Sequence, residues 1–111
     1  MIRVWYLVRD FDRGLDFYKR LLGFEATYVD WDERWAKLER GPMRIALAEG
    51  EPNLEGGVAT VDVDDVKAEA ERLRAERANV GVVLDLAGEM RLVDVYDPDG
   101  NRIQLTQPIE G

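Results

Sequence analysis

One spacing pattern occurs twice in this chain, and it limits the possible folds more than any other feature. Phe11, Leu15 and Tyr18 are copied by Val66, Ala70 and Leu73, each 55 residues further on. Steps of four and three place each triplet on a single helical stripe. An Asp precedes both stripes (Asp10, then Asp64-Asp65) and can accept from free N–H groups of the first turn. Gly23 stands where the first helix should stop. An alternating run precedes each cap. In Ile2–Val8 the even residues are apolar and Arg3, Trp5 and Leu7 lie between them; Val58–Val63 is its counterpart. Three strand-like runs follow each helix: Glu25–Asp32, Trp35–Glu39 and Met43–Ala48, then Val80–Leu86, Met90–Tyr96 and Arg102–Thr106. Gly41-Pro42 supplies one turn, and Asp97-Pro98-Asp99-Gly100-Asn101 another. Met43-Arg44-Ile45-Ala46-Leu47 aligns with Asn101-Arg102-Ile103-Gln104-Leu105.

The spacing predicts an α+β chain of two βαβββ modules, whose curved mixed sheets surround a cleft. We expect one domain over 1–111, with modules at 1–50 and 58–111 and a polar Gly/Pro-containing linker at 51–57. Strand parity then assigns faces. The even residues of the first strand, with Ile45 and Leu47, should lie under the first helix. Ala59, Val61, Val63, Ile103 and Leu105 should lie under the second. Arg3, Trp5, Leu7, Arg44, Ala46, Ala48, Val58, Thr60, Asp62, Arg102, Gln104 and Thr106 should face the other way. A surface mixing Trp, Arg, Gln and small residues suits a ligand cleft.

Composition narrows the function. At 46% hydrophobic the chain can build a core, and its 34% charged residues solvate the surface. The net charge of −8 disfavours nucleic acid and anionic lipid and suits a cationic ligand. No apolar run reaches membrane-spanning length. The strand-like start argues against a signal peptide, and a cytoplasmic location is expected. Ser, Cys and His are absent, and the Thr residues (Thr27, Thr60 and Thr106) have no imidazole to activate them, so no nucleophile constellation exists. Three residues recommend themselves for their recognition surface: Trp5, Trp31 and Trp35. Tyr28, Met43, Met90 and Tyr96 are secondary wall candidates. Arg3 opposite Gln104 could grip a carboxylate or carbonyl, or pair internally with Asp62. Arg44 and Arg102 are expected at the rim.

Val8-Arg9-Asp10 before the helix, Phe17-Tyr18 and Leu21-Leu22-Gly23-Phe24 at its end, and Asp97 through Leu105 at the C-terminus together resemble the vicinal oxygen chelate superfamily. This group contains glyoxalase I, extradiol dioxygenases, fosfomycin-resistance enzymes and bleomycin-resistance binding proteins. The resemblance covers nearly the whole chain. In the family's metal enzymes a His stands on the first strand, seven residues before the Asp preceding the helix; here that position is Arg3, and Val58 is its counterpart. A Glu usually stands between the Ile and Leu after the closing turn; here it is Gln104, with Ala46 as counterpart. Transition-metal sites want imidazole, thiolate or carboxylate donors, and a guanidinium repels a metal. No metal or other cofactor is therefore expected. An acidic Mg2+ or Ca2+ site at Asp97 and Asp99 is the alternative to their turn role, and the turn role is favoured. The resemblance implies a metal-free binding protein that sequesters a small molecule, such as an antibiotic or aromatic metabolite. It also implies clefts completed by homodimerisation. Ligand-binding candidates are Arg3, Trp5, Trp31, Trp35, Asp62 and Gln104, with no catalytic residue. The alternatives are a lyase, isomerase or dioxygenase-like enzyme with an atypical site, and a structural dimer with an occluded cleft.

Overall fold

The computed structural model describes residues 4–52, 57–86 and 88–109. The first strand, β1 (Val4–Val8), leads into α1 (Phe11–Asp16). Asp10 caps α1 by accepting from the Arg13 N–H. The helix then widens into a π turn over Phe17–Leu21, marked by the Leu22 N–H bonding to the Phe17 carbonyl at 3.2 Å. The sequence predicts one uninterrupted α-helix here. The wider turn follows from two adjacent apolar pairs, Phe17-Tyr18 and Leu21-Leu22, all four of which are buried. An ordinary helix would turn neighbours about 100° apart, and the added residue lets both pairs face inward. Gly23 then ends the element at φ +69°.

Strands β2 (Glu25–Asp30), β3 (Trp35–Arg40) and β4 (Met43–Glu49) complete a sheet of order β1-β4-β3-β2. Here β1 runs parallel to β4 and the other pairings are antiparallel. The second half repeats the plan. It comprises β5 (Ala59–Asp62), α2 (Val66–Ala75), β6 (Asn79–Val80), β7 (Leu84–Leu86), β8 (Met90–Tyr96) and β9 (Arg102–Pro108), in the order β5-β9-β8-β6 with β7 also on β8. Asp65 caps α2 through the Ala68 N–H. Val66, Ala70 and Leu73 are fully buried, as their spacing requires.

The expected continuous strand Val80–Leu86 is split in two. Val80 pairs with Val95, yet Leu84 pairs with Leu92, so the edge carries one extra residue. The interruption is pinned on both sides. The Gly81 N–H donates to the Asp94 carbonyl at 2.8 Å, and Arg74 donates to the Gly81 carbonyl at 2.7 Å.

The faces predicted for β1, β4, β5 and β9 are buried, with Val4, Tyr6, Val8, Ile45 and Leu47 in the first sheet and Ala59, Val61, Ile103 and Leu105 in the second; Ala36 and Leu38 of β3 and Val93 and Val95 of β8 join them. The two halves share one apolar core. Polar bonds also cross between them. The Tyr6 hydroxyl donates to the Arg102 carbonyl and accepts from the Ala59 N–H at 2.8 Å. The Tyr18 hydroxyl donates to Asp97 at 2.8 Å, and Asn101 donates to the Leu7 carbonyl at 2.8 Å. From the second helix, Arg72 donates to the Leu21 carbonyl at 2.7 Å. Burial pushes the Tyr6 hydroxyl up to about 12, and burial with the neighbouring Asp97 carboxylate pushes Tyr18 up as well.

Candidate functional site

The faces not covered by helices carry the side chains that can meet a ligand. On the first sheet, pairing aligns Trp5, Ala46, Lys37 and Tyr28 in one row, and Leu7, Ala48, Trp35 and Asp30 in the next. Trp5 is 54% exposed and Tyr28 47%. The Trp5 and Trp35 rings lean toward each other across β4, with centroids 6.0 Å apart and planes inclined at 34°. Tyr28 adjoins Trp35 at 5.2 Å. The Lys37 ammonium lies 5.8 Å from both the Tyr28 and Trp35 rings, a cation–π distance. Lys37 makes no ion pair among the described residues. Ala46, beneath these rings, is fully buried although it is on the helix-free face.

A bulge in β2 delivers Tyr28 to this cluster. Ala26 pairs with Leu38, but Tyr28 pairs with Lys37, so Thr27 is an extra residue. Without it, alternation would send Tyr28 to the helix-covered side with Ala26. One added residue moves the following side chains to the opposite face.

On the second sheet, Thr60, Gln104 and Asp94 form one row of the helix-free face, and Asp62, Thr106, Leu92 and Leu84 another. The Thr106 hydroxyl donates to Asp62 at 2.7 Å. The Gln104 amide N–H donates to Asp94 at 3.4 Å, and Arg102 approaches the same carboxylate at 3.6 Å. Beyond them an apolar stretch is open to solvent: Val82, Leu84, Leu86 and Met90.

These placements sort the candidates. Trp5 and Trp35 come together, and Asp62 and Gln104 share the helix-free face of the other sheet. Trp31 does not join either group. It lies in the turn after β2 and meets Phe11 edge-on at 5.6 Å, beside α1. Arg3 falls outside the described residues. Arg44 is an exposed neighbour of Glu39 at 3.6 Å. Sequence reasoning missed Lys37, although its two-residue step from Trp35 already placed both on one face. It also missed Asp94, which only the pairing of β8 with β9 brings to Gln104, and the solvent-facing leucines of β7.

A resident transition metal does not fit these residues. Ala46 offers a methyl group, Val58 an isopropyl group, and Gln104 one amide oxygen beside a nitrogen already committed to Asp94. Among the described residues, no group of three or more His, Cys, Asp or Glu side chains is placed to hold an ion. Asp97 is likewise occupied. Its carboxylate accepts from the Asp99 and Asn101 backbone N–H groups, from the Asn101 amide and from Tyr18. This is the turn role expected for it.

Solved structures share this architecture. The fosfomycin resistance protein FosX from Listeria monocytogenes superimposes with a TM-score of 0.79 at 18% identity, covering 96% of this chain and 91% of that one. Lactoylglutathione lyase from Agrobacterium tumefaciens gives 0.79 at 16% identity, with 96% and 92% covered. TnmS3, an antibiotic binding protein from Streptomyces sp. CB03234, gives 0.73 at 24% identity, with 97% and 95% covered. At these identities the likeness is one of fold. No curated protein sequence matches the chain. The family model described as Glyoxalase/Bleomycin resistance protein/Dioxygenase superfamily matches residues 2–105. Duplicated βαβββ topology, paired sheets with one face free, and this match lead to one conclusion: the chain belongs to the glyoxalase/bleomycin resistance protein/dioxygenase superfamily.

Proposed function

We propose that this protein binds a small aromatic molecule without a metal, on the helix-free faces of its sheets. The observation carrying the reading is the cluster of Trp5, Trp35, Tyr28 and Lys37. Large aromatic rings left open to water on a sheet face are costly unless something covers them. Aromatic walls with a few placed polar groups are the usual make-up of a ligand site. Asp62 and Gln104 supply polar groups on the other sheet. Sequestration requires affinity alone, which accords with metal-ligand positions occupied by Arg3, Ala46, Val58 and Gln104. The antibiotic-binding relative makes an antibiotic or comparable natural product a reasonable ligand class. A second copy of the chain would cover the exposed leucines of β7 and complete the cleft.

Titration of Trp fluorescence against a panel of aromatic natural products tests this. We expect saturable quenching by at least one compound, weakened at least tenfold in Trp5→Ala. Quenching by none of them, or binding untouched by Trp5→Ala, would overturn the assignment.

A further inference from the structure

We propose that Trp5 and Trp35 form a slot that opens to take a planar, fused-ring aromatic acid over β4, with the acidic oxygen against Lys37. This rests on the binding role above and specifies its ligand. The two indoles stand on β1 and β3 with β4 between them, so their strands lie about 9.6 Å apart, two ordinary strand spacings. On the face they share, β4 carries only Ala46 and Ala48 in the paired rows. No side chain larger than methyl therefore rises between the indoles, and they close over the gap to a 6.0 Å centroid distance at a 34° tilt. A flat guest with a ring on each side needs about 7 Å between the outer planes, from two contacts of roughly 3.5 Å. Separating the rings by about 1 Å and aligning them produces that sandwich within the span the strands allow. Only a flat guest profits, because a puckered one forces the indoles further apart.

Lys37 fixes the polarity of the guest. Its ammonium lies beside Trp35 and Tyr28, next to Ala46 in the pairing, and no carboxylate of the described residues neutralises it. A carboxylate or ionised phenol on the rim of the guest would supply a partner through a charge-assisted bond, and the guest stacked on the rings would itself shield the exposed ammonium from water. This local requirement opposes the overall charge of −8, which on its own would favour a cationic ligand.

The test uses anthraquinone-2-carboxylate, neutral anthraquinone and the non-planar acid cyclohexanecarboxylate, with calorimetry and Trp fluorescence on the full chain. The planar acid should bind and quench, and cyclohexanecarboxylate should not bind. Ala48→Leu fills the slot while keeping every aromatic ring and should weaken the planar acid at least tenfold, at an unchanged melting temperature. Ala48→Ser, which hardly fills it, should bind within threefold of the parent. Lys37→Met should weaken the acid at least fivefold more than it weakens neutral anthraquinone. If the planar acid binds equally to Ala48→Leu but is lost in Trp5→Ala, the face binds ligands without a slot, and this inference fails while the proposed function stands. If cyclohexanecarboxylate binds as well as the planar acid, the planarity requirement fails. If neither planar compound binds the parent while other natural products do, the ligand class is wrong.

Discussion

Asp97 holds its own turn together and ties that turn to the first half through Tyr18. It is buried, yet its carboxylate accepts four hydrogen bonds, one of them from Tyr18 on the π turn. Tyr18→Phe removes one donor from a buried charge and should cost about 1–2 kcal/mol, read by urea unfolding. Removing the exposed partner of Asp99 with Arg9→Ala should cost under about 0.5 kcal/mol. The same tyrosines set alkaline stability. Tyr6 and Tyr18 hold their protons more tightly when folded than at the ordinary value of 10.0. Their contribution is complete below pH 10.0 and is lost as the pH rises toward the folded value, about 12 for Tyr6. Unfolding monitored by circular dichroism should therefore set in between these limits, and Tyr18→Phe should make that loss shallower.

At the scale of elements, the helices and the strands β1, β4, β5 and β9 were legible because each buries one face. The stripe Val66, Ala70 and Leu73 and the alternation of β1, β5 and β9 needed no tertiary knowledge. What escaped were departures from period: the π turn at Phe17–Leu21, the extra residue at Thr27 and the break at Gly81. Each adds a residue whose effect depends on the neighbouring strand or core, which local spacing does not contain. The Thr27 bulge matters most, since it decides which face receives Tyr28. Metal-ligand positions were legible one by one, whereas Lys37 and Asp94 became site residues only through pairing. Helix α1 makes a further prediction. Gly14 would be favoured as Ala by helix propensity, by about 1 kcal/mol. However, a Cβ there would lie 2.8 Å from Val8 Cγ2 on β1. Because Val8 is fully buried and branched, the clash should win. Gly14→Ala should destabilise by about 1–3 kcal/mol, measured as a lowered melting temperature.

At the scale of the whole molecule, the two helix-free faces differ in character. The first presents indoles and a phenol beside Lys37, Arg44 and Asp30; the second presents Asp62, Asp94 and Arg102 beside solvent-facing leucines. Such faces complement each other when two copies associate by a two-fold axis. Analytical ultracentrifugation should find a dimer, and Leu84→Asp with Leu86→Asp should convert it to monomer while circular dichroism stays unchanged. A monomeric parent protein would contradict that arrangement. The central claim is that recognition rests on aromatic surface and requires no metal. Its most direct test is calorimetric titration of one bound ligand against chelator-stripped protein, alongside Trp5→Ala. The account predicts an unchanged Kd after stripping and a loss of at least tenfold in Trp5→Ala. Binding abolished by the chelator and restored by added metal, with Trp5→Ala indifferent, would contradict it.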